Sequence, residues 1–60
     1  MMKKLPQDPL LCMSVVNTRL RDYYSDLDEF CEDYDVDKAE LEEKLRAIGY
    51  EYHKHCNQFC

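Results

Sequence analysis

The sequence predicts a mainly α fold: a three-helix, helix-turn-helix-like bundle closed by a short C-terminal β-hairpin, or wing. Three observations predict it. Capping residues stand before apolar residues of helical spacing at Asp8, Ser25 and Asp37. A tight turn around Asp35 separates the second helical pattern from the third. After Gly49, the only glycine of the chain, the pattern changes to strand alternation at Tyr50-Glu51-Tyr52. The 60 residues form a single small domain on this reading, with a loose N-terminal arm over 1–7, three helices within 8–48 and a hairpin over 50–60.

Asp8-Pro9 starts the first helix. The Asp carboxylate accepts from the orphan N–H groups, and proline at the first helical position brings its preset φ. The helix is expected to run to about Tyr23. Met13, Val16, Leu20 and Tyr23/Tyr24 mark its inner face, and Arg19, Arg21 and Asp22 its wet side.

Ser25-Asp26-Leu27-Asp28 resembles a capping box with Asp in place of the better Glu. Leu27, Phe30, Cys31 and Tyr34 then recur at i, i+3, i+4 and i+7, one face of a short helix over 26–34. Asp35 follows where a turn needs a positive φ, which Asp tolerates better than most residues.

The third helix, over 38–48, has the cleanest start. Asp37 is its N-cap, Glu40 lies three residues on, and Val36 and Leu41 are placed as a hydrophobic staple. Leu41, Leu45 and Ile48 define its buried stripe. Glu40–Lys44 and Glu42–Arg46 have the spacing of favourable i, i+4 ion pairs. Gly49 ends the helix as a left-handed cap. In the hairpin, Gln58-Phe59-Cys60 returns against Tyr50-Glu51-Tyr52, with Asn57 available for a positive φ. The expected core is Leu20, Leu27, Phe30, Cys31, Leu41, Leu45 and Ile48.

A chain this short hides only ~60% of its extended surface, so its core is marginal. Self-association that buries a further apolar face would add stability, and a homodimer is one expected state. The net charge is −5, and residues 25–48 hold ten Asp/Glu against three Lys/Arg, a local charge of −7. Such a surface repels nucleic acid and anionic lipid. Lys3, Lys4, Arg19, Arg21 and Lys54 lie outside the acidic stretch.

Met1-Met2-Lys3-Lys4 is followed by Pro6, Gln7, Asp8 and Pro9 rather than by an apolar run, so no secretory leader is read there. No run approaches the ~18 apolar residues of a membrane span. A cytoplasmic protein with no membrane partner is the expectation. Cys12, Cys31, Cys56 and Cys60 are then reduced thiols rather than disulfides.

The segments Ser14-Val15-Val16-Asn17-Thr18-Arg19-Leu20-Arg21-Asp22-Tyr23-Tyr24, Ser25-Asp26-Leu27-Asp28, Ile48-Gly49-Tyr50-Glu51-Tyr52 and Asn57-Gln58-Phe59 resemble a family of very short bacterial proteins, domain-of-unknown-function family 4250. The resemblance runs from Leu5-Pro6 to Phe59 and implies a bacterial, stand-alone protein. It implies no activity. His53, His55, Cys56 and Cys60 lie outside its pattern.

Those four residues are the metal-ligand candidates, since zinc takes N and S ligands at short spacings. A structural zinc site usually clips two distant segments, whereas this set would clip only a hairpin end. A polar turn before a chain terminus is the preferred reading, and neither metal nor other cofactor is expected. Cys56 beside a histidine lacks the orienting group and shielded pocket that nucleophilic catalysis needs, so no enzyme is expected. For duplex DNA the second helix of a helix-turn-helix supplies the contacts. Here they would be Asp37, Lys38, Ala39, Glu42 and Glu43, of which only Lys38 suits phosphate. Tyr23, Tyr24, Tyr34, Tyr50, Tyr52 and Phe59 exceed what a tiny core hides, and surface rings are the usual anchors of interfaces. The sequence therefore favours a protein-binding or self-associating regulatory or adaptor module. A nucleic-acid-binding winged-helix-like module is the alternative.

Overall fold

The computed structural model describes residues 4–60, in the order α1 (Pro9–Asp22), α2 (Leu27–Tyr34), α3 (Lys38–Arg46), β1 (Tyr52–His53) and β2 (Gln58–Phe59). The fold class is as the sequence predicts. The two strands pair antiparallel, Tyr52 opposite Phe59 and His53 opposite Gln58.

Each helix begins on an aspartate. Asp8 accepts from the Leu10 N–H, Asp26 from that of Glu29, and Asp37 from those of Ala39 and Glu40. The box of α2 is shifted by one residue from the expected one. Asp26, not Ser25, is the N-cap, and the reaching acid is Glu29, not Asp28. The Glu29 carboxylate accepts from both the N–H and the hydroxyl of Ser25, at 3.3 and 3.0 Å.

Helices α2 and α3 end by the same device. Beyond α2, the Asp35 N–H bonds to the Glu32 carbonyl and the Val36 N–H to that of Cys31. Beyond α3, the Gly49 N–H bonds to the Arg46 carbonyl and the Tyr50 N–H to that of Leu45. This 6→1 and 5→2 pattern needs a left-handed residue at its corner. Asp35 (φ 56) and Gly49 (φ 89) occupy those corners.

The buried core is Cys12, Val16 and Leu20 of α1, Leu27, Phe30 and Cys31 of α2, Leu41 and Leu45 of α3, and Phe59 of β2. Six of the seven expected core residues are in it. Ile48 is not: it is 38% exposed. Its N–H bonds to the Leu45 carbonyl, three residues back, at 3.2 Å. That tightened turn rotates residue 48 off the stripe that Leu41 and Leu45 follow. Tyr23, expected on the inner face of α1, is 67% exposed, because α1 stops at Asp22 and the backbone leaves the helical region there. Neither expected i, i+4 pair of α3 forms among the described residues. Lys44 donates instead to the Pro6 carbonyl at 3.3 Å. Of the expected loose arm, residues 1–3 lie outside the described residues, and Leu5 packs half-buried against the core.

Candidate functional site

The hairpin is locked to the helices by two asparagines. Asn57 donates to the carbonyls of Leu20 and Tyr24 at 3.1 and 3.0 Å, satisfying acceptors at the C-terminal end of α1. Its carbonyl oxygen accepts from the Tyr52 hydroxyl at 2.6 Å. That hydroxyl in turn accepts from the Leu27 N–H at 3.2 Å, one of the orphan donors that open α2. Asn17 of α1 makes two bonds to the backbone of Phe59. Asn17, Tyr52 and Asn57 all lie in the segments that carry the family resemblance. These segments thus carry the joints between the hairpin and the helices.

This network decides the standing of the expected surface rings. Phe59 is 2% exposed and belongs to the core, not to a surface. Its ring meets that of Tyr52 at 5.5 Å between centroids. Tyr52 is half-buried with its hydroxyl engaged on both sides, and burial raises its pKa above the ordinary phenol value. Tyr24 and Tyr34 flank the buried Phe30. Tyr34 stacks on it at 4.4 Å and Tyr24 meets it edge-on at 5.5 Å. The Tyr24 hydroxyl donates to the Asp33 carboxylate. Tyr50 is half-buried against the core. Tyr23 alone of the six stands well out in solvent, with the Arg19 guanidinium 5.6 Å from its ring centre. Leu10 and Leu11, which the sequence reading did not single out, are 55% and 58% exposed. Nothing local in the sequence marks them, because their exposure follows from which side of α1 the other elements cover.

The metal-ligand candidates are not gathered into one site, although the His53 and His55 rings meet edge-on with centroids 6.0 Å apart. His53 lies in β1, and His55 and Cys56 in the turn that follows. Cys60 sits opposite Glu51, exchanging both backbone hydrogen bonds with it. The Cys56 thiol donates to the His53 carbonyl at 3.7 Å. Among the described residues no three His, Cys, Asp or Glu side chains stand where they could hold a metal ion. All four cysteines are free thiols, Cys12 and Cys31 buried, Cys56 and Cys60 exposed. Burial pushes the Cys31 thiol up to about 11, with the Asp28 carboxylate adding to the effect, and burial raises Cys12 as well.

The most distinctive surface is that of α2 and α3. Asp28, Glu29, Glu32, Asp33, Glu40 and Glu43 are all exposed. Lys38, the one base near the start of α3, pairs with Asp28 at 3.0 Å, and that bond raises its pKa. No helix among the described residues is long and apolar enough to cross a membrane. No curated protein and no solved structure gives a match to the chain. Residues 6–59 match the family model described as a domain of unknown function (DUF4250), and the chain belongs to that family.

Proposed function

We propose that the protein is a protein-binding or self-associating regulatory module of the bacterial cytoplasm, and neither an enzyme nor a nucleic-acid-binding protein. The state of Lys38 carries this reading. Where a helix-turn-helix would present bases to phosphate, the lysine is paired with Asp28, and Glu40 and Glu43 are exposed on the same helix. Affinity for a duplex comes largely from Lys and Arg neutralising phosphates, and at the start of α3 Lys38 is the one such base, held by Asp28. Leu10, Leu11 and Tyr23 add exposed apolar area of the kind that anchors protein interfaces.

The second reading, a winged-helix-like nucleic-acid module, is favoured by one observation. The turn Asp35-Val36-Asp37 joins α2 to α3 in helix-turn-helix fashion, and a hairpin follows. Two measurements separate the readings. Sedimentation equilibrium of the full chain, together with capture by the immobilised chain and re-measurement with the purified captured protein, should reveal self-association or a protein partner. Leu10→Ser with Leu11→Ser should weaken whichever is found. A chain that stays monomeric, retains no protein and binds duplex would overturn the proposal.

A further inference from the structure

We infer that the outer side of α1 pairs antiparallel with the same side of a second copy of the chain, forming a transient homodimer. This inference rests on the self-associating form of the proposed function and gives it a surface and a geometry.

The buried residues of α1, Cys12, Val16 and Leu20, recur at intervals of four and belong to the core. Leu11, Val15 and Thr18 recur at i, i+4 and i+7, and the 3.6-residue period puts them on the far side of the helix. Leu11 projects there, 58% exposed. One turn on, Ser14, Val15, Thr18 and Arg19 line an open depression of about 180 Å³. Ser14–Thr18 and Val15–Arg19 are steps of adjacent i, i+4 rows. The space between such rows is the groove that receives a side chain when helices pack. The depression is smaller than the ~300 Å³ of a usual ligand pocket and suits one aliphatic side chain. The Thr18 hydroxyl already donates to the Ser14 carbonyl at 2.9 Å, so covering it strands no donor. Projection and depression share one face, which is therefore complementary to itself. A two-fold axis between antiparallel copies seats Leu11 of each in the depression of the other.

Charge fits a second copy to this face and to no other helix. Residues 8–22 hold two acids, Asp8 and Asp22, and two bases, Arg19 and Arg21, so α1 with its cap is neutral. Residues 25–48 carry −7, and contact of two copies through α2 or α3 would bring like charges together. Contact through α1 avoids this. With Leu11 seated in the depression, the antiparallel register brings Arg19 of one copy towards Asp8 of the other. Ion pairs this exposed orient a contact more than they stabilise it. The seam is short, since the 14 residues of α1 span about 21 Å. One such seam falls short of the ~1,200 Å² that a stable complex buries, so the dimer exchanges with monomer and forms at high protein concentration.

The test is sedimentation equilibrium of the full chain from about 10 μM to about 1 mM, with a thermal melt of each variant to show that it folds. Reductant keeps the exposed Cys56 and Cys60 from cross-linking copies. The wild type should move towards dimer mass at the upper end. Leu11→Ser should weaken association about tenfold or more. Leu10→Ser, one residue back and as exposed but off the seam, should change it less than about twofold. Ile48→Ser, exposed on the far side of Leu45, should do the same. Arg19→Glu should weaken association about threefold or more, and salt should reduce the difference. Equal weakening by Leu10→Ser and Leu11→Ser, or by Ile48→Ser and Leu11→Ser, would overturn the seam and leave self-association standing. A chain that stays monomeric to about 1 mM would overturn the inference. Capture of a protein by that monomer would leave the protein-binding reading standing, and duplex binding without capture would overturn both.

Discussion

The Asn17 side-chain amide holds Phe59 by both of its backbone polar groups, donating to the carbonyl at 3.0 Å and accepting from the N–H at 2.8 Å. The hairpin register explains why those groups are available. Glu51 and Cys60 exchange both of their backbone hydrogen bonds, so the next pair, Tyr52 opposite Phe59, is a non-hydrogen-bonded one. The Phe59 polar groups therefore face away from β1 and towards α1. Asn17 serves them as a third strand would, and the Phe59 ring turns into the core.

Replacing Asn17 should therefore cost far more than replacing an ordinary half-buried polar residue. Asn17→Ala removes two hydrogen bonds and leaves two backbone groups unpaired, a loss of about 2–4 kcal/mol by urea denaturation. Thr18→Ala, one position on and exposed, should stay within about 0.5 kcal/mol. A loss below about 1 kcal/mol for Asn17→Ala would mean that water replaces the amide.

Gly49 isolates a backbone effect. A Cβ built there meets nothing within 4 Å, yet φ is 89°. Gly49→Ala should destabilise the fold by more than about 1 kcal/mol through conformation alone. Asp35→Asn, at φ 56°, should be near neutral, because Asn adopts the left-handed region readily. Thermal melts of the two variants decide this, and an unchanged melting temperature for Gly49→Ala would contradict it.

Leu45 and Ile48 are three residues apart on a stripe that the helical period treats as one, but the fold treats them differently. Leu45 is fully buried and Ile48 is 38% exposed. Leu45→Ala should cost about 2–5 kcal/mol, enough to unfold a domain this small. Ile48→Ala should cost less than about 1 kcal/mol. Equal losses would place Ile48 back in the core.

Alkaline pH should destabilise the protein through its buried thiols and Tyr52. Cys31 is raised from 9.0 to about 11, and Cys12 and Tyr52 shift in the same direction. In each case the unfolded chain loses its proton first as pH rises. The folded state then holds more protons, so stability falls with increasing pH. For Cys31 the fall begins near pH 9 and ends near pH 11, amounting to roughly 2–3 kcal/mol. Melting temperatures measured from pH 7 to 11 should drop across that window. In Cys31→Ala the drop should be smaller relative to its own value at pH 7. A wild-type profile flat to pH 11 would contradict the assignment.

Local signals were legible in the sequence and long-range ones were not. Asp8, Asp37, Asp35 and Gly49 each act through neighbours a few residues away, and each takes the role its local pattern implies, as does Asn57 in its left-handed backbone conformation though not in its side-chain bonds to Leu20 and Tyr24. The one-residue shift at Ser25-Asp26 arose because both residues can cap. The choice falls to the residue that lets Glu29 reach back. Asn17 was invisible as a joint because its partner lies 42 residues on. Phe59 and Tyr52 read as surplus rings because their places depend on that joint and on Asn57. For the candidate site, the acidic composition was legible. The pairing of Lys38 with Asp28 and the diversion of Lys44 to Pro6 were not, since both depend on how segments meet.

Binding of duplex DNA tests the central claim most directly, because there the outline of the fold and its charge disagree. Titration of the full chain into random-sequence duplex at two salt concentrations should show no binding tighter than ~10⁻⁴ M at physiological salt, the weak end of non-specific affinity. Nanomolar binding with a steep salt slope, weakened by Lys38→Ala or Arg21→Ala, would contradict the account.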